Sequence, residues 1–543
     1  MRPEIFLQAL VSFLIVAFGM PSFSPILGPV AAAVGYAIFW WSIRVYPFAK
    51  QRFWRAFSWY GAISLIQLSW MTSIEYQGIY ILFTWLALSI WLGVQFGILS
   101  ILIPYNRPLK LPRILAIASL WTLLEWSRYH ILCGYSWNLI GLAFCNTSAI
   151  QFAALFGVLG LSFWVIFVNL MGLRAFLRKG IANYMIWLAV AFVPYFFGWG
   201  HIAYHEKHME KKEKFSCLLL QTGLLPPEKT PIQGKIRAFI SPYDQWKRIL
   251  TQLKEYQRES PDLIVLPEAA VPFSSETNAY DRRIAQQIFM EVFGEVPDSI
   301  FPDILPPYGD KDLLRVTNLF WVQSIANFFG SEVVLGLDHS EEGGNSYNSA
   351  FHVLPTAGEI ERYDKRVLMP LAEYLPFRWL APLVKNYGIT DFFTPGRNAS
   401  IFHGKVPLSA SICYEETFPH IVREGRLKGG KLFVNVTNDG WYPGSRLPSQ
   451  HYEHAKFRAI ENGVPLIRSC NTGVTAAIDS LGRCVDRIEQ ENEKKKLQTG
   501  TLFVKISLYD YVTLFLFWGN WGIICLSAVF LGFFLCLKRQ FYW

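Results

Sequence analysis

Eight apolar segments, each long enough or nearly long enough to cross a bilayer, restrict what this chain can become. Seven fill roughly the first 200 residues: Ile5–Met20, Ser24–Ile43, Ala56–Thr72, Ile79–Pro104, Ile114–His130, Gln151–Arg174 and Tyr184–Gly200. The eighth runs from Tyr511 to Leu537. Inside hydrocarbon every backbone N–H and C=O must be satisfied within the segment, so these runs predict helices. Arg2 precedes a short apolar core and resembles the start of a signal peptide. No small-residue cleavage site follows and a second span begins almost at once, so the segment is expected to stay as a helix.

Charge between the segments sets an expected orientation. The loops after spans two, four and six carry Arg44, Lys50, Arg52 and Arg55, then Arg107, Lys110 and Arg113, then Arg174, Arg178 and Lys179. The intervening loops carry almost no charge. By the positive-inside rule the N-terminus is cytoplasmic, and span seven exits on the opposite face. Lys538 and Arg539 after the last span predict a cytoplasmic C-terminus, in agreement with an eighth crossing. The polar block between spans seven and eight is therefore expected outside the cytoplasm.

Composition agrees with a mixed architecture. Hydrophobic residues make up 52% and charged residues 17% of 543 positions, too apolar for an ordinary soluble protein and too polar for one wholly in lipid. The net charge of +9 falls largely in short loops between apolar runs. It reads as topology and does not point to nucleic acid. Cys217, Cys413, Cys470 and Cys484 lie outside the apolar spans with no metal-type spacing and no disulfide framework, so no metal is expected.

Three regions follow: residues 1–200 as an N-terminal membrane bundle, 201–508 as a polar α/β domain, and 509–543 as a final span and tail. Within the polar domain short apolar runs recur at Phe215–Leu220, Leu263–Leu266, Val333–Leu337, Ala350–Leu354, Leu408–Cys413, Leu432–Val436, Leu466–Ser469 and Val474–Ile478. Their length and β-branched or aromatic content predict strands. Tyr243–Tyr256 and Tyr452–Asn462 predict helices between them. Ser274–Thr317, punctuated by proline and glycine, reads as an insertion with loop and short helical parts. Glu489–Lys496 is a solvated charge run.

Chemistry concentrates at three strand ends. Glu268 closes Leu-Ile-Val-Leu-Pro, Lys365 follows Arg362-Tyr-Asp, and Cys413 ends Pro407-Leu-Ser-Ala-Ser-Ile. A thiol is mostly protonated at neutral pH and needs a base or a positive field to become a nucleophile. A partly desolvated carboxylate supplies the base, and an ammonium with the Tyr414 backbone N–H supplies an oxyanion site. Glu125 lies three residues before Arg128 on one helical face, where a structural ion pair is expected. Most of the 20 tryptophans are read as membrane-interface anchors or core.

The order Pro267-Glu268, Asp364-Lys365, Cys413-Tyr414-Glu415 resembles the nitrilase superfamily, and more closely the membrane-embedded apolipoprotein N-acyltransferase family. Lys365-Arg-Val-Leu-Met-Pro-Leu-Ala-Glu373-Tyr-Leu-Pro376, Asn438-Asp-Gly-Trp441 and Arg468-Ser-Cys-Asn471-Thr-Gly473-Val-Thr-Ala476 resemble further motifs of that family. So do Glu125-Trp-Ser-Arg128 and Gly134-Tyr-Ser-Trp137 in the membrane part.

The resemblance implies an αββα sandwich on the periplasmic face of a bacterial inner membrane, joined to a multi-pass helical bundle. It implies Glu268 as general base, Lys365 as oxyanion stabiliser and Cys413 as nucleophile. Glu373 would tune the lysine and the substrate amine. Tyr414 and Glu415 would shape the wall beside the nucleophile, and Trp441 would line the acyl path. A phospholipid, typically phosphatidylethanolamine, would donate its acyl chain to Cys413 as a thioester. The α-amine of a diacylglyceryl-cysteine on a lipoprotein would then accept it. No cofactor and no nucleic acid are implied, and a monomer is expected. The competing reading is a membrane-tethered nitrilase-type amidase with water as second nucleophile. The eight spans and the Glu373 segment favour the transferase, because a lipid donor requires access to the membrane.

Overall fold

All eight apolar segments are helical in the computed structural model, which describes residues 3–20, 22–105, 109–132, 134–230, 238–302, 314–356, 359–377, 392–488 and 499–540. Arg107, the charge run Glu489–Lys496 and residues 303–313 of the expected insertion lie outside the described residues. Among the described residues three helices are long and apolar enough to cross a membrane: Tyr80–Ile101, Ser148–Arg178 and Ile181–Met209. Pro3–Ala17, Leu27–Ile43 and Trp521–Leu537 are shorter apolar helices. Ala49–Gln67 and Leu111–Arg128 are helices that carry several charged side chains.

By packing, the chain divides into two units. The first comprises Met1–His208, Ser445–Gly463 and Tyr511–Trp543; the second comprises Met209–Gly444 and Val464–Asp510. The 201–508 block of the sequence reading therefore does not pack as one piece. The helix Leu447–Asn462 groups with the membrane-type helices because its polar side chains bond there. Gln450 Oε1 accepts from Trp137 Nε1 at 2.9 Å, and Glu461 Oε1 accepts from Val158 N at 2.8 Å. Arg458 and Glu461 form a fully buried pair at 2.9 Å.

Two sets of polar groups inside the helical unit are matched locally. The turn Ala31–Gly35 widens to a π-helix, and Asn169 fills the opening. Its Nδ2 donates to Ala32 O at 2.7 Å, while its Oδ1 accepts from Ala37 N at 3.0 Å. Glu125 and Arg128 are both fully buried, 3.9 Å apart, and Arg128 Nε also donates to Gln95 Oε1 at 2.8 Å. The expected pair is thus a structural one.

The second unit is a two-sheet sandwich. Its strands are β1 (Lys214–Gln221), β2 (Leu263–Val265), β3 (Tyr280–Asp281), β4 (Arg315–Val316), β5 (Glu332–Ser340), β6 (Ser346–Val353) and β7 (Ile360–Asp364). They continue with β8 (Ile401–His403), β9 (Pro407–Ile412), β10 (Leu432–Thr437), β11 (Leu466–Cys470), β12 (Ala476–Ile478), β13 (Cys484–Arg487) and β14 (Gly500–Ser507). One sheet has the order β14-β1-β2-β5-β6-β7 and the other β13-β12-β11-β10-β9-β8, while β3 and β4 form a separate ribbon. The central strands β1, β2 and β5, and likewise β9, β10 and β11, are parallel.

Alternation along the strands builds two cores. In β1, Cys217 and Leu219 face the inter-sheet core with Val434, Ile412 and Ala477, whereas Leu218 and Leu220 face the helices Pro242–Lys254 and Asn318–Phe329. Trp246 and Trp321 stack between those helices at 5.4 Å. Within the expected insertion Ser274–Thr317, the helix Arg282–Phe293 buries Ala285, Phe289 and Val292 in the outer core. One finding differs from the sequence reading. Gly500–Ser507, not anticipated as a strand, pairs antiparallel along the whole of β1.

Candidate active site

Two parallel strands, one from each sheet, end where the candidate residues begin. Glu268 follows β2 after Leu266-Pro267, and Cys413 follows β9. Lys365 follows the antiparallel strand β7. Parallel strands leave their C-terminal edge open to loops, which is where sites of α/β folds form. Cys413 opens a short 3₁₀ turn with φ +51°, a left-handed conformation unusual for a side chain with a Cβ. The residue as a whole is half-buried. Ala269, next to Glu268, also has positive φ, +41°.

Lys365 is the centre of the cluster. Its Nζ lies 2.8 Å from Glu373 Oε1 and 3.2 Å from Glu268 Oε1, and its side chain is 2% exposed. Asn348 on β6 binds the same two carboxylates, donating Nδ2 to Glu268 Oε1 at 2.7 Å and to Glu373 Oε1 at 2.9 Å. Met369 N donates to the second oxygen of Glu373 at 2.7 Å, which folds the segment after Lys365 back onto the lysine. Burial alone would lower the ammonium's affinity for its proton. Glu268, Glu373 and Cys413 overrule burial and hold Lys365 well above the usual lysine range. It stays cationic.

Cys413 behaves in the opposite sense. Burial raises its thiol well above the ordinary value and the Glu268 carboxylate raises it further, while Lys365 and a hydrogen bond with Thr437 pull it down. The resting sulfur is therefore a thiol. For this sulfur to act as a nucleophile its proton would have to leave, and Glu268 is the carboxylate coupled to it most strongly. The arrangement suits general-base activation of a thiol at attack, with an ammonium facing the charge that develops.

The supporting residues take varied roles. Glu415 is fully buried and accepts from Ile412 N at 2.8 Å and Arg366 N at 2.6 Å, joining the turn of Cys413 to the loop of Lys365. It braces both loops. Tyr414 is buried edge-on against Phe418 at 4.9 Å. Trp441 is 38% exposed at the end of the turn Asp439–Trp441. Arg468 is buried with Glu416 at 2.6 Å and Asp439 at 3.8 Å, which ties the Asn438–Trp441 motif to β11.

Asn348, Lys229 and Asp338 escaped the sequence reading. Lys229 Nζ donates to the Glu268 carbonyl at 3.2 Å, and Asn471 Nδ2 donates to the same oxygen. Asn348 and Asp338 sit opposite one another in the β5–β6 register. Polar residues inside otherwise apolar strands were the one available signal for these two; nothing near Lys229 marks it.

Residues 10–171 match the family described as apolipoprotein N-acyltransferase N-terminal domain, and residues 232–511 match the carbon-nitrogen hydrolase family. The apolipoprotein N-acyltransferase of Chlamydia caviae is 32% identical, with 97% of this chain and 96% of that protein covered. That of Chlamydia pneumoniae is 31% identical, with 98% of each covered. Among solved structures, Saccharomyces cerevisiae Nit3, a member of the nitrilase superfamily, is 15% identical and is matched over 56% of this chain and 93% of its own at a TM-score of 0.36.

Proposed function

This chain belongs to the apolipoprotein N-acyltransferase family, and from that premise we propose how its α/β unit transfers an acyl chain to the N-terminus of an apolipoprotein. The donor is a membrane phospholipid, typically phosphatidylethanolamine. Cys413 Sγ attacks the ester carbonyl carbon as its proton passes to Glu268. The carbonyl electron pair moves onto oxygen, opposite the Lys365 ammonium and the Tyr414 N–H. Collapse expels the lysophospholipid alkoxide, which takes the proton from Glu268 and leaves a thioester on Cys413.

The α-amine of a diacylglyceryl-cysteine then attacks that thioester. Glu268 takes the amine proton, the amide forms, and the sulfur leaves and is reprotonated. Splitting the transfer lets two lipid substrates use one site in turn. Glu373 holds Lys365 and faces the incoming amine, Tyr414 and Glu415 support the turn of the nucleophile, and Trp441 lines the acyl path. The observation that carries this reading is the Lys365 ammonium, clamped by Glu268 and Glu373 while coupled to the Cys413 thiol.

The eight apolar helical segments support a multi-pass protein of a bacterial inner membrane. In this reading the second unit, Met209–Gly444 with Val464–Asp510, is the catalytic domain on the periplasmic face, both termini are cytoplasmic, and the protein acts as a monomer. The purified protein incubated with phosphatidylethanolamine should acquire a hydroxylamine-labile acyl group and should add one acyl mass to a diacylated lipopeptide. Cys413→Ala should do neither. Transfer by Cys413→Ala removes the thioester, and release of free fatty acid without lipopeptide acylation replaces the transferase with a hydrolase.

A further inference from the structure

Glu268 is held from two sides. Its carboxylate meets Lys365 and Asn348, and its main-chain carbonyl accepts from Lys229 Nζ at 3.2 Å and from Asn471. Lys229 ends the short helix Pro226–Lys229 and is 5% exposed. A lysine this buried needs a built position. Gln245, fully buried, provides one by donating Nε2 to Lys229 O at 3.0 Å and to Ile240 O at 2.9 Å.

The charge balance of the cluster gives Lys229 a second task. Three carboxylates converge here: Glu268, Glu373 and Asp338. Lys365 is shared between the first two. Asp338 couples to all four of its charged neighbours, favourably to Lys229 and Lys365 and unfavourably to Glu268 and Glu373. Two ammoniums against three carboxylates leave the cluster one negative charge in excess, whereas Lys365 alone would leave two. Buried like charges resist joint ionisation.

We propose that Lys229 is a positioning residue for acyl transfer, holding the Glu268 main chain through its carbonyl and placing a second cation beside the carboxylate that receives the thiol proton. The inference rests on the acyltransferase reading of the same site. Burial pulls Lys229 down to about 7, and Glu268 and Asp338 pull it the other way. Burial pushes Asp338 up to about 6, with Lys229 acting in the other direction. The groups facing Lys229 are Glu268 and Asp338, and both favour its charged form.

The test is the pH profile of Cys413 acylation in the full-length protein in detergent, with phosphatidylethanolamine carrying a labelled acyl chain. Lys229→Gln keeps an N–H donor without charge, and Lys229→Met keeps neither. Both should move the acid limb of the profile upward by about one pH unit, a tenfold loss on that limb. Lys229→Met should also lower the plateau. Asp338→Asn removes a competing carboxylate and should move the limb downward. Slower acylation with an unmoved limb in Lys229→Gln reduces Lys229 to a structural role and overturns the proposal. If both neutral variants fail to fold, an unmoved or raised limb in Asp338→Asn overturns it. Absence of labelled thioester in the wild type instead overturns the acyltransferase mechanism itself.

Discussion

Glu415, two residues past Cys413, accepts a hydrogen bond from Tyr363, two residues before Lys365, with the phenolic oxygen 2.9 Å from each carboxylate oxygen. The contact spans the two sheets, since Tyr363 lies on β7 and Glu415 in the turn after β9. It sets the spacing between ammonium and thiol without touching either. The same carboxylate accepts main-chain N–H groups of Arg366, Val367 and Ile412.

Tyr363→Phe should therefore lower stability by about 1 kcal/mol and slow acylation. Glu415→Gln, which points an amide donor at groups that need an acceptor, should cost more, roughly 1–3 kcal/mol. Thermal midpoints in detergent and single-turnover acylation of Cys413 measure the two effects. A Tyr363→Phe protein equal to wild type in both would show that the brace is idle.

The thiol of Cys413 is held up by burial and by Glu268 and drawn down by Lys365. Its alkylation by iodoacetamide should be slow at pH 7 and should rise through the alkaline range, because only the thiolate reacts. Removing the raising carboxylate in Glu268→Gln should shift that rise to lower pH. Removing the lowering ammonium in Lys365→Met should shift it to higher pH. The rate of label incorporation at Cys413 against pH decides; shifts in the same direction would break the electrostatic account.

Gly336 on β5 lies under Glu268, the proposed general base. A Cβ there would stand 2.6 Å from Glu268 Cα and 2.9 Å from Ala269 N, both main-chain atoms that cannot swing aside. Gly336→Ala should displace Glu268 and destabilise the unit by about 1–3 kcal/mol. Acylation should fall further than stability alone explains, because small misplacements of a reacting group are costly. Acylation measured well below the variant's thermal midpoint separates the two contributions.

In the helical unit, Arg128→Met should leave the buried Glu125 carboxylate without its cation and cost about 3–5 kcal/mol. Adding Glu125→Gln should recover part of that loss, since the charge itself is then gone. The thermal midpoints of the two single variants and the double variant form the cycle. Additive losses would mean that the pair does not couple.

The linear order of residues determined much of this protein. Apolar length favours helix where water is excluded, and all eight marked segments are helical, three of them long and apolar enough to cross a membrane. Short apolar runs with β-branched or aromatic content marked strands that are buried on both faces. Glu268 and Cys413 stood out because each ends an apolar run, and Lys365 because it follows Arg362-Tyr-Asp at a third strand end. Local pattern failed where long-range pairing decides: Gly500–Ser507 becomes a strand because β1 offers it a free edge, and Leu447–Asn462 joins the membrane-type helices because its buried polar groups find partners there. Only the fold could reveal that Asn348 spans two carboxylates, that Glu415 braces both loops, and that Lys229 reaches the Glu268 main chain. Those contacts join residues far apart in the chain, and their strength comes from burial that no single segment possesses alone.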